Sequence, residues 1–278
     1  MACNPNPDQL KNLTFVEKLN FRFMHALNQT PGIRNLLTKI QATLGKKWVE
    51  LATGNIVEGH GFENFEKIDP AKGVFVVVNH RTFYDQFVVA WKLFCLFGAH
   101  HNIYFPVRAT FFYDNPLGLF VNIPLTYGAM YPPIIRDKKR RYWNLYATEL
   151  MIDLLRDSRN MIGFHPEGTR NRGPDPYTFL RAKPGAGEIV YHARPNVIPV
   201  FLQGFPRTIP DVVKQNYRQK PSDPPLVHMV MGEPMDFTEE LKLPKGNKTY
   251  LLISRKIMQR IAELSEQERA IRKSYSAA

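Results

Sequence analysis

Two short stretches carry residue types that can do chemistry together: Asn79-His80-Arg81-Thr82-Phe83-Tyr84-Asp85 and Pro166-Glu167-Gly168-Thr169-Arg170. The first offers an imidazole base and a carboxylate able to orient it. The second offers a turn with a carboxylate, a hydroxyl and a cation. A carboxylate that accepts from one imidazole nitrogen leaves the other as a base. Neither stretch contains Ser or Cys, and no Gly-x-Ser-x-Gly elbow occurs in the chain. A covalent acyl-enzyme would need such a nucleophile. The simpler chemistry is direct acyl transfer: the base takes a proton from an acceptor hydroxyl, whose oxygen attacks an acyl thioester.

The spacing constrains how this pair can meet. His80 and Asp85 are five residues apart. On a continuous helix that is about 500° of rotation, and the side chains would splay by roughly 140°. They meet only if His80 sits in a loop and Asp85 lies in the first turn of the next helix. There the helix dipole and unpaired N–H groups keep an aspartate ionised. The sequence permits this: Val74-Phe75-Val76-Val77-Val78 reads as a buried strand, and Gln86-Phe87-Val88-Val89-Ala90-Trp91 as a helix. By itself the spacing is not specific. A structural cap pair is the rival reading of His80 and Asp85, and His228 and Glu233 show the same separation.

In the second stretch Pro166 restricts and Gly168 frees the backbone around Glu167. Arg170 suits bidentate binding of phosphate or carboxylate, or else is a solvated cation on a surface turn. Upstream, Ile134-Ile135-Arg136-Asp137-Lys138-Lys139-Arg140-Arg141 is a strand-like run ending in five cations and one acid. It reads as a solvated face or as a phosphate-binding strand end.

These residues resemble the glycerolipid acyltransferase family, which includes the 1-acylglycerol-3-phosphate acyltransferases. That family has four sequence blocks. Its first, Asn-His-x4-Asp, is matched by Asn79, His80 and Asp85. Its third, Phe-Pro-Glu-Gly-Thr-Arg-Ser, is matched from Pro166 to Arg170, with His165 in place of Phe and Asn171 in place of Ser. Its fourth, a Val-Pro-Val-type strand, is matched by Val197-Ile198-Pro199-Val200. In the second block Arg136 is in place, but Met130 stands where a Gly belongs and Pro132-Pro133 intrude. The resemblance covers roughly residues 73 to 235. It implies that His80 is the base and Asp85 its orienter, and that Arg136, Glu167, Gly168, Thr169 and Arg170 bind the acceptor's polar head. It also implies an O-acyltransferase taking acyl-CoA or acyl-carrier protein as donor and a lysophospholipid, most simply 1-acylglycerol 3-phosphate, as acceptor. Glycerol 3-phosphate, a lyso-aminolipid or a glycolipid would also fit, and so would a non-catalytic lipid-binding scaffold.

The elements that must position these residues alternate from about residue 73. Candidate strands are 74–79, 102–108, 131–136, 160–165, 196–203 and 226–231. Candidate helices are 85–97, 141–157, 185–194 and 248–272. This alternation predicts an α/β fold with a largely parallel sheet flanked by helices. Polar chemistry at the carboxyl ends of such strands is where open α/β sheets place their sites. Ahead of it, residues 1–12 read as disordered, and residues 13–29 carry Leu13, Val16, Leu19, Phe23 and Leu27 at helical spacing. Thr30-Pro31 starts a second helix, with Ile33, Leu36, Leu37, Ile40 and Leu44 on one side, stopping at Gly45. The expected division is an N-terminal amphipathic two-helix segment, 1–50, and an α/β domain, 51–278. The two helices either lie on a bilayer or pack on the domain.

Composition bounds the rest. The chain has 278 residues, 44% hydrophobic, enough for one sizeable core. Its formal charge of +12 favours a polyanionic partner such as an anionic membrane surface or CoA phosphates. Nucleic acid is not expected, because aromatics are not interleaved with Lys and Arg as a stacking platform requires. Two cysteines, Cys3 and Cys95, make neither a disulfide framework nor a metal cluster and point to a reducing compartment; Cys95 is expected in the core. The first ten residues are polar, without a secretory signal, and the apolar run from Phe87 to Gly98 is too short to span a bilayer. The expectation is a peripheral protein on the cytoplasmic side of a membrane. Adjacent His100 and His101 read as a turn, and Gly185-Ala186-Gly187 as a helix opening near the site rather than a dinucleotide fingerprint. No metal or organic cofactor is implied.

Overall fold

Val74–Val78 is buried on both faces, which forces sheet partners on either side and helices above and below. The computed structural model describes residues 4–277 and supplies both. In chain order the helices are α1 (Pro7–Leu10), α2 (Phe15–Gln29), α3 (Pro31–Ile40), α4 (Lys46–Thr53), α5 (Asp85–Phe97), α6 (Ala109–Phe112), α7 (Gly118–Thr126), α8 (Trp143–Leu155), α9 (Pro184–Ala193), α10 (Ile209–Arg218) and α11 (Asn247–Ala277). The strands are β1 (Val57–His60), β2 (Val74–Val78), β3 (Asn102–Tyr104), β4 (Val107–Arg108), β5 (Pro133–Ile134), β6 (Asn160–Phe164), β7 (Asn196–Gln203) and β8 (Val227–Met231).

The main sheet has the order β1-β8-β7-β2-β6-β3. Every pairing is parallel except β7 with β8. The expected largely parallel sheet flanked by helices is therefore what the chain forms. Register does the positioning. Val77 pairs with Phe164 of β6 and with Pro199 of β7, so β2 and β6 end side by side and release their following loops together. Those loops carry His80 and the 165–170 turn.

Several expectations are corrected. The run 102–108 splits at Pro106, which has no N–H to donate to a ladder. Only β3 joins the main sheet, while β4 pairs with β5 in a separate two-stranded sheet. The run 131–136 shrinks to Pro133–Ile134 for the same reason, with Pro132 following a cis peptide bond. β1, α1, α4, α6, α7 and α10 were not anticipated. Cys95 is exposed on α5, not in the core, and Cys3 lies outside the described residues.

The amino terminus departs most. Within the stretch read as disordered, α1 carries a full capping box: Asn6 and Gln9 each accept the other's backbone N–H at 2.8 Å. Gly45 does not end a helix. The chain stays helical through a π turn, Gln41–Gly45, into α4, and Gly45 instead lets the Tyr127 ring approach, where a Cβ would fall 2.9 Å from it. The inward faces of α2 and α3 are also unusually polar. α3 turns Arg34, Thr38 and Gln41 inward, and Arg34 donates to Asn28 at 2.8 Å and to Thr38 at 3.0 Å. α2 buries Asn20, whose amide donates to the Tyr113 and Asn115 carbonyls at 3.0 and 2.9 Å. α2 also buries Phe21 and Met24, but several large apolar residues of the two helices face out: Phe15 is 81% exposed and Leu36 58%.

On the far side of the sheet α9 lies against α11 at backbone distance. A Cβ on Gly187 would fall 1.8 Å from the Tyr250 carbonyl oxygen, and the Gly187 N–H donates to Ser254 at 2.8 Å. Gly187→Ala must push α11 away from α9, which over-packing precedents put at about 1–3 kcal/mol. Urea unfolding should show a lowered midpoint with an unchanged slope; a wild-type midpoint would contradict this close approach.

Candidate active site

β2 ends at Val78, and the next residue secures the loop. The Asn79 side chain accepts from the Leu202 N–H at 2.8 Å and donates to the Leu202 carbonyl at 2.9 Å, so the loop leaves the sheet tied to β7. His80 follows in that loop, and Asp85 is the first residue of α5. His80 Nδ1 lies 3.0 Å from Asp85 Oδ2. The same oxygen accepts the backbone N–H groups of Arg81 at 2.7 Å and Thr82 at 2.8 Å, while Oδ1 accepts the Thr82 hydroxyl at 2.5 Å. Burial acts to raise the pKa of this 1%-exposed carboxyl, but the hydrogen bond and charge of His80, the charge of His165 and the Thr82 hydroxyl hold it below the ordinary aspartate value. An ionised Asp85 fixes the tautomer with the proton on Nδ1 and leaves His80 Nε2 as the basic nitrogen.

Continuing the β2–β6 register past the strand ends brings His165 beside Val78. Its Nδ1–H donates to the Val78 carbonyl at 3.0 Å, and its ring stacks face to face on His80, centroids 3.8 Å apart and planes 10° apart. Burial, then the charge of His80, pushes the His165 pKa down to about 3, so this ring stays neutral at physiological pH. It is a flat, uncharged platform for the His80 imidazole, in the position of a Phe in the pattern noted above.

The 166–170 turn is anchored from behind. Glu167 does not line a cavity; it is 1% exposed, and its carboxylate accepts the His80 N–H at 3.3 Å and the Leu180 N–H at 3.0 Å. It ties the two motif loops together, helped by the Asn171 N–H, which donates to the His80 carbonyl at 2.7 Å. The acceptor contact expected of Glu167 is thus not its placement. Gly168 has φ of +69°, which favours glycine, and its carbonyl accepts from Arg136 Nη2 at 2.7 Å.

In front of these loops is a cavity of about 700 Å³. Its wall includes His80, Arg136, Gly168, Thr169 and Arg170 of the residues anticipated. It also includes Arg108, Arg172, Lys183 and His165, which were not. Burial and the neighbouring Arg108 and Arg170 lower the pKa of the Arg136 guanidinium, a sign of cations crowded around one spot. The lining also includes apolar residues, Phe83, Phe111, Phe112, Ile134, Met151 and Ile189 among them. Arg108 had a sequence signal, as the last residue of a candidate strand; Lys183 had none until α9 was placed behind it.

Burial raises the Glu167 pKa from its ordinary 4.5 to about 7, against the two N–H groups that favour the ionised form. A raised folded-state value contributes stability that is complete below pH about 4.5 and lost as pH rises through about 7. Urea-derived stability of the wild type relative to Glu167→Gln should therefore fall across that window. A difference that stays flat from pH 4.5 to 7.5 would contradict a buried, proton-holding carboxyl.

A search of curated proteins gives no match. Among solved structures, the 1-acyl-sn-glycerophosphate acyltransferase PlsC of Thermotoga maritima is similar at 19% identity, covering 92% of this chain and 98% of that one, with a TM-score of 0.47. The acyltransferase family model matches residues 57–203, from β1 to the end of β7, and so spans His80, Asp85, Arg136 and the whole 166–170 turn. That match takes in more than half of the chain, and the chain belongs to the acyltransferase family.

Proposed function

We propose that this acyltransferase moves a fatty acyl group from acyl-CoA or acyl-carrier protein to the hydroxyl of a lysophospholipid, most simply 1-acylglycerol 3-phosphate. The observation that carries the reading is one cavity with an oriented base, a cluster of arginines and an apolar wall. Phosphate on a glycerol backbone suits Arg136, Arg170 and Arg108, since guanidinium groups match phosphate oxygens bidentately. Acyl chains suit Phe83, Phe111, Phe112 and Met151.

In the reaction His80 Nε2 removes the acceptor hydroxyl proton. The oxygen attacks the thioester carbonyl carbon, the C–O bond forms, and the C–S bond breaks as the tetrahedral intermediate collapses. The leaving sulfur takes the proton from the His80 imidazolium, which Asp85 has stabilised meanwhile. Products are an ester and a free thiol, and no acyl-enzyme forms. Glu167, outside the cavity wall, braces the His80 loop from behind, and His165 supports the His80 ring by stacking on it at the wall.

Peripheral docking on an anionic membrane belongs to the same reading. The outward apolar faces of α2 and α3 support it, as do Leu117 and Phe120 on and beside α7, 64% and 76% exposed. Phe111 is itself exposed and also lines the cavity, a route by which a lipid tail passes from one to the other. Among the described residues no helix is long and apolar enough to cross a membrane. Lys18, Arg22, Lys39, Lys46 and Lys47 accompany the N-terminal helices. Each cation near an anionic leaflet contributes about 1 kcal/mol.

The test is transfer of labelled acyl groups from CoA and carrier-protein donors to a panel of lyso-acceptors with and without phosphate. A phosphorylated lyso-acceptor should be esterified preferentially. Arg136→Ala and Arg170→Ala should each raise the KM for that acceptor about 10–100-fold, the loss expected for a hydrogen bond to a charged group, and leave the donor KM nearly unchanged. Equal use of phosphate-free acceptors, or an unchanged acceptor KM in both variants, would overturn the assignment.

A further inference from the structure

Away from the cavity, the outer edge of the sheet gathers a second set of chemically capable side chains. Glu58 and His60 are two residues apart on β1 and so project from the same face. β8 lies alongside in parallel register, with His228 directly opposite Glu58. The three meet: His60 Nε2 is 3.3 Å from His228 Nδ1, Glu58 Oε2 is 3.5 Å from His60 Nε2, and Glu58 Oε2 is 3.7 Å from His228 Nδ1. These separations are long for hydrogen bonds, which run about 2.7–3.2 Å. They are close to the edge of a tetrahedron around a zinc-sized ion, roughly 3.3–3.5 Å for ligand bonds of about 2.0–2.1 Å.

We propose that Glu58, His60 and His228 form a divalent transition-metal site, of the two-imidazole, one-carboxylate class that suits zinc, cobalt or nickel. The chemistry of the set fits. Two imidazole nitrogens and one carboxylate oxygen converge within 3.7 Å of one another, and this N and O donor set suits these ions. Glu58 is oriented by an outer partner, the Tyr275 hydroxyl, which donates to its Oε2 at 2.7 Å, as metal-binding carboxylates commonly are. His228 is 1% exposed and forms the floor, whereas Glu58 and His60 are half-exposed and leave a way in for the ion. Three protein ligands leave a fourth position for water. The site shares no residue with the cavity at His80, and its role is to clip edge strand β1 to β8 and, through Tyr275, to the end of α11.

The test uses the full chain, dialysed against chelator and titrated with Co²⁺. One equivalent should bind and give the visible absorption of tetrahedral cobalt. Glu58→Gln and His60→Asn, both at half-exposed positions, should fold as wild type by circular dichroism. Each should bind at least 10–100-fold more weakly, the loss typical even of an outer-shell partner. His80→Ala should bind as wild type. Zn²⁺ should raise the Tm of wild type and not that of Glu58→Gln. Absence of a tetrahedral spectrum, or cobalt binding equal in wild type and both ligand variants, would overturn the site.

Discussion

One buried carboxylate organises the candidate site of this molecule. Asp85 opens α5 and accepts from two backbone N–H groups, a hydroxyl and the His80 ring, all within one loop of five residues. A buried ionised group is costly unless it is fully hydrogen-bonded. That requirement dictates the loop: Arg81 and Thr82 must turn their N–H groups inward, and His80 must present Nδ1. The geometry of the base is therefore set by satisfaction of the carboxylate rather than by the His80 side chain's own preferences.

The parallel sheet then brings the second loop to the first. Because β2 and β6 end in register, the 165–171 segment lies beside His80 and meets it three ways: a stacked neutral ring from His165, a carboxylate brace from Glu167, and the Asn171 N–H on the His80 carbonyl. In front of this support is a cavity whose lining combines cationic and apolar side chains. Arginines gathered around one spot repel each other, and an anionic ligand relieves that repulsion.

How much of this the sequence discloses follows from the range of the interactions. The five-residue separation of His80 and Asp85 excludes a shared helix and requires the loop-to-helix junction that forms. The all-apolar run at 74–78 announces a central parallel strand for the same local reason. Glu167 was legible as a member of a motif but not in its placement, because whether a carboxylate faces a cavity or a neighbouring loop depends on Leu180 and His80, thirteen and 87 residues away. The strands at 102–108 and 131–136 were overdrawn because apolar β-formers conceal what Pro106 and Pro132 do to a ladder. The apolar stripes of α2 and α3 were visible, but not that their polar sides turn inward to meet Asn28, Tyr113 and Asn115. The Glu58–His60–His228 set was invisible in sequence, since only the β1–β8 pairing joins residues 168 apart.

The central claim is that His80, oriented by Asp85, is the base in acyl transfer. The most direct measurement is the pH dependence of kcat/KM for thioester-to-hydroxyl transfer in wild type, His80→Ala and Asp85→Asn, with circular dichroism as the check on folding. Wild type should rise with pH through a single ionisation. His80→Ala should lose about 10²–10⁴-fold or more and lose that ionisation, and Asp85→Asn should fall by about 10⁴-fold through the wrong tautomer. A folded His80→Ala protein with near-wild-type transfer and an unchanged pH profile would contradict the account.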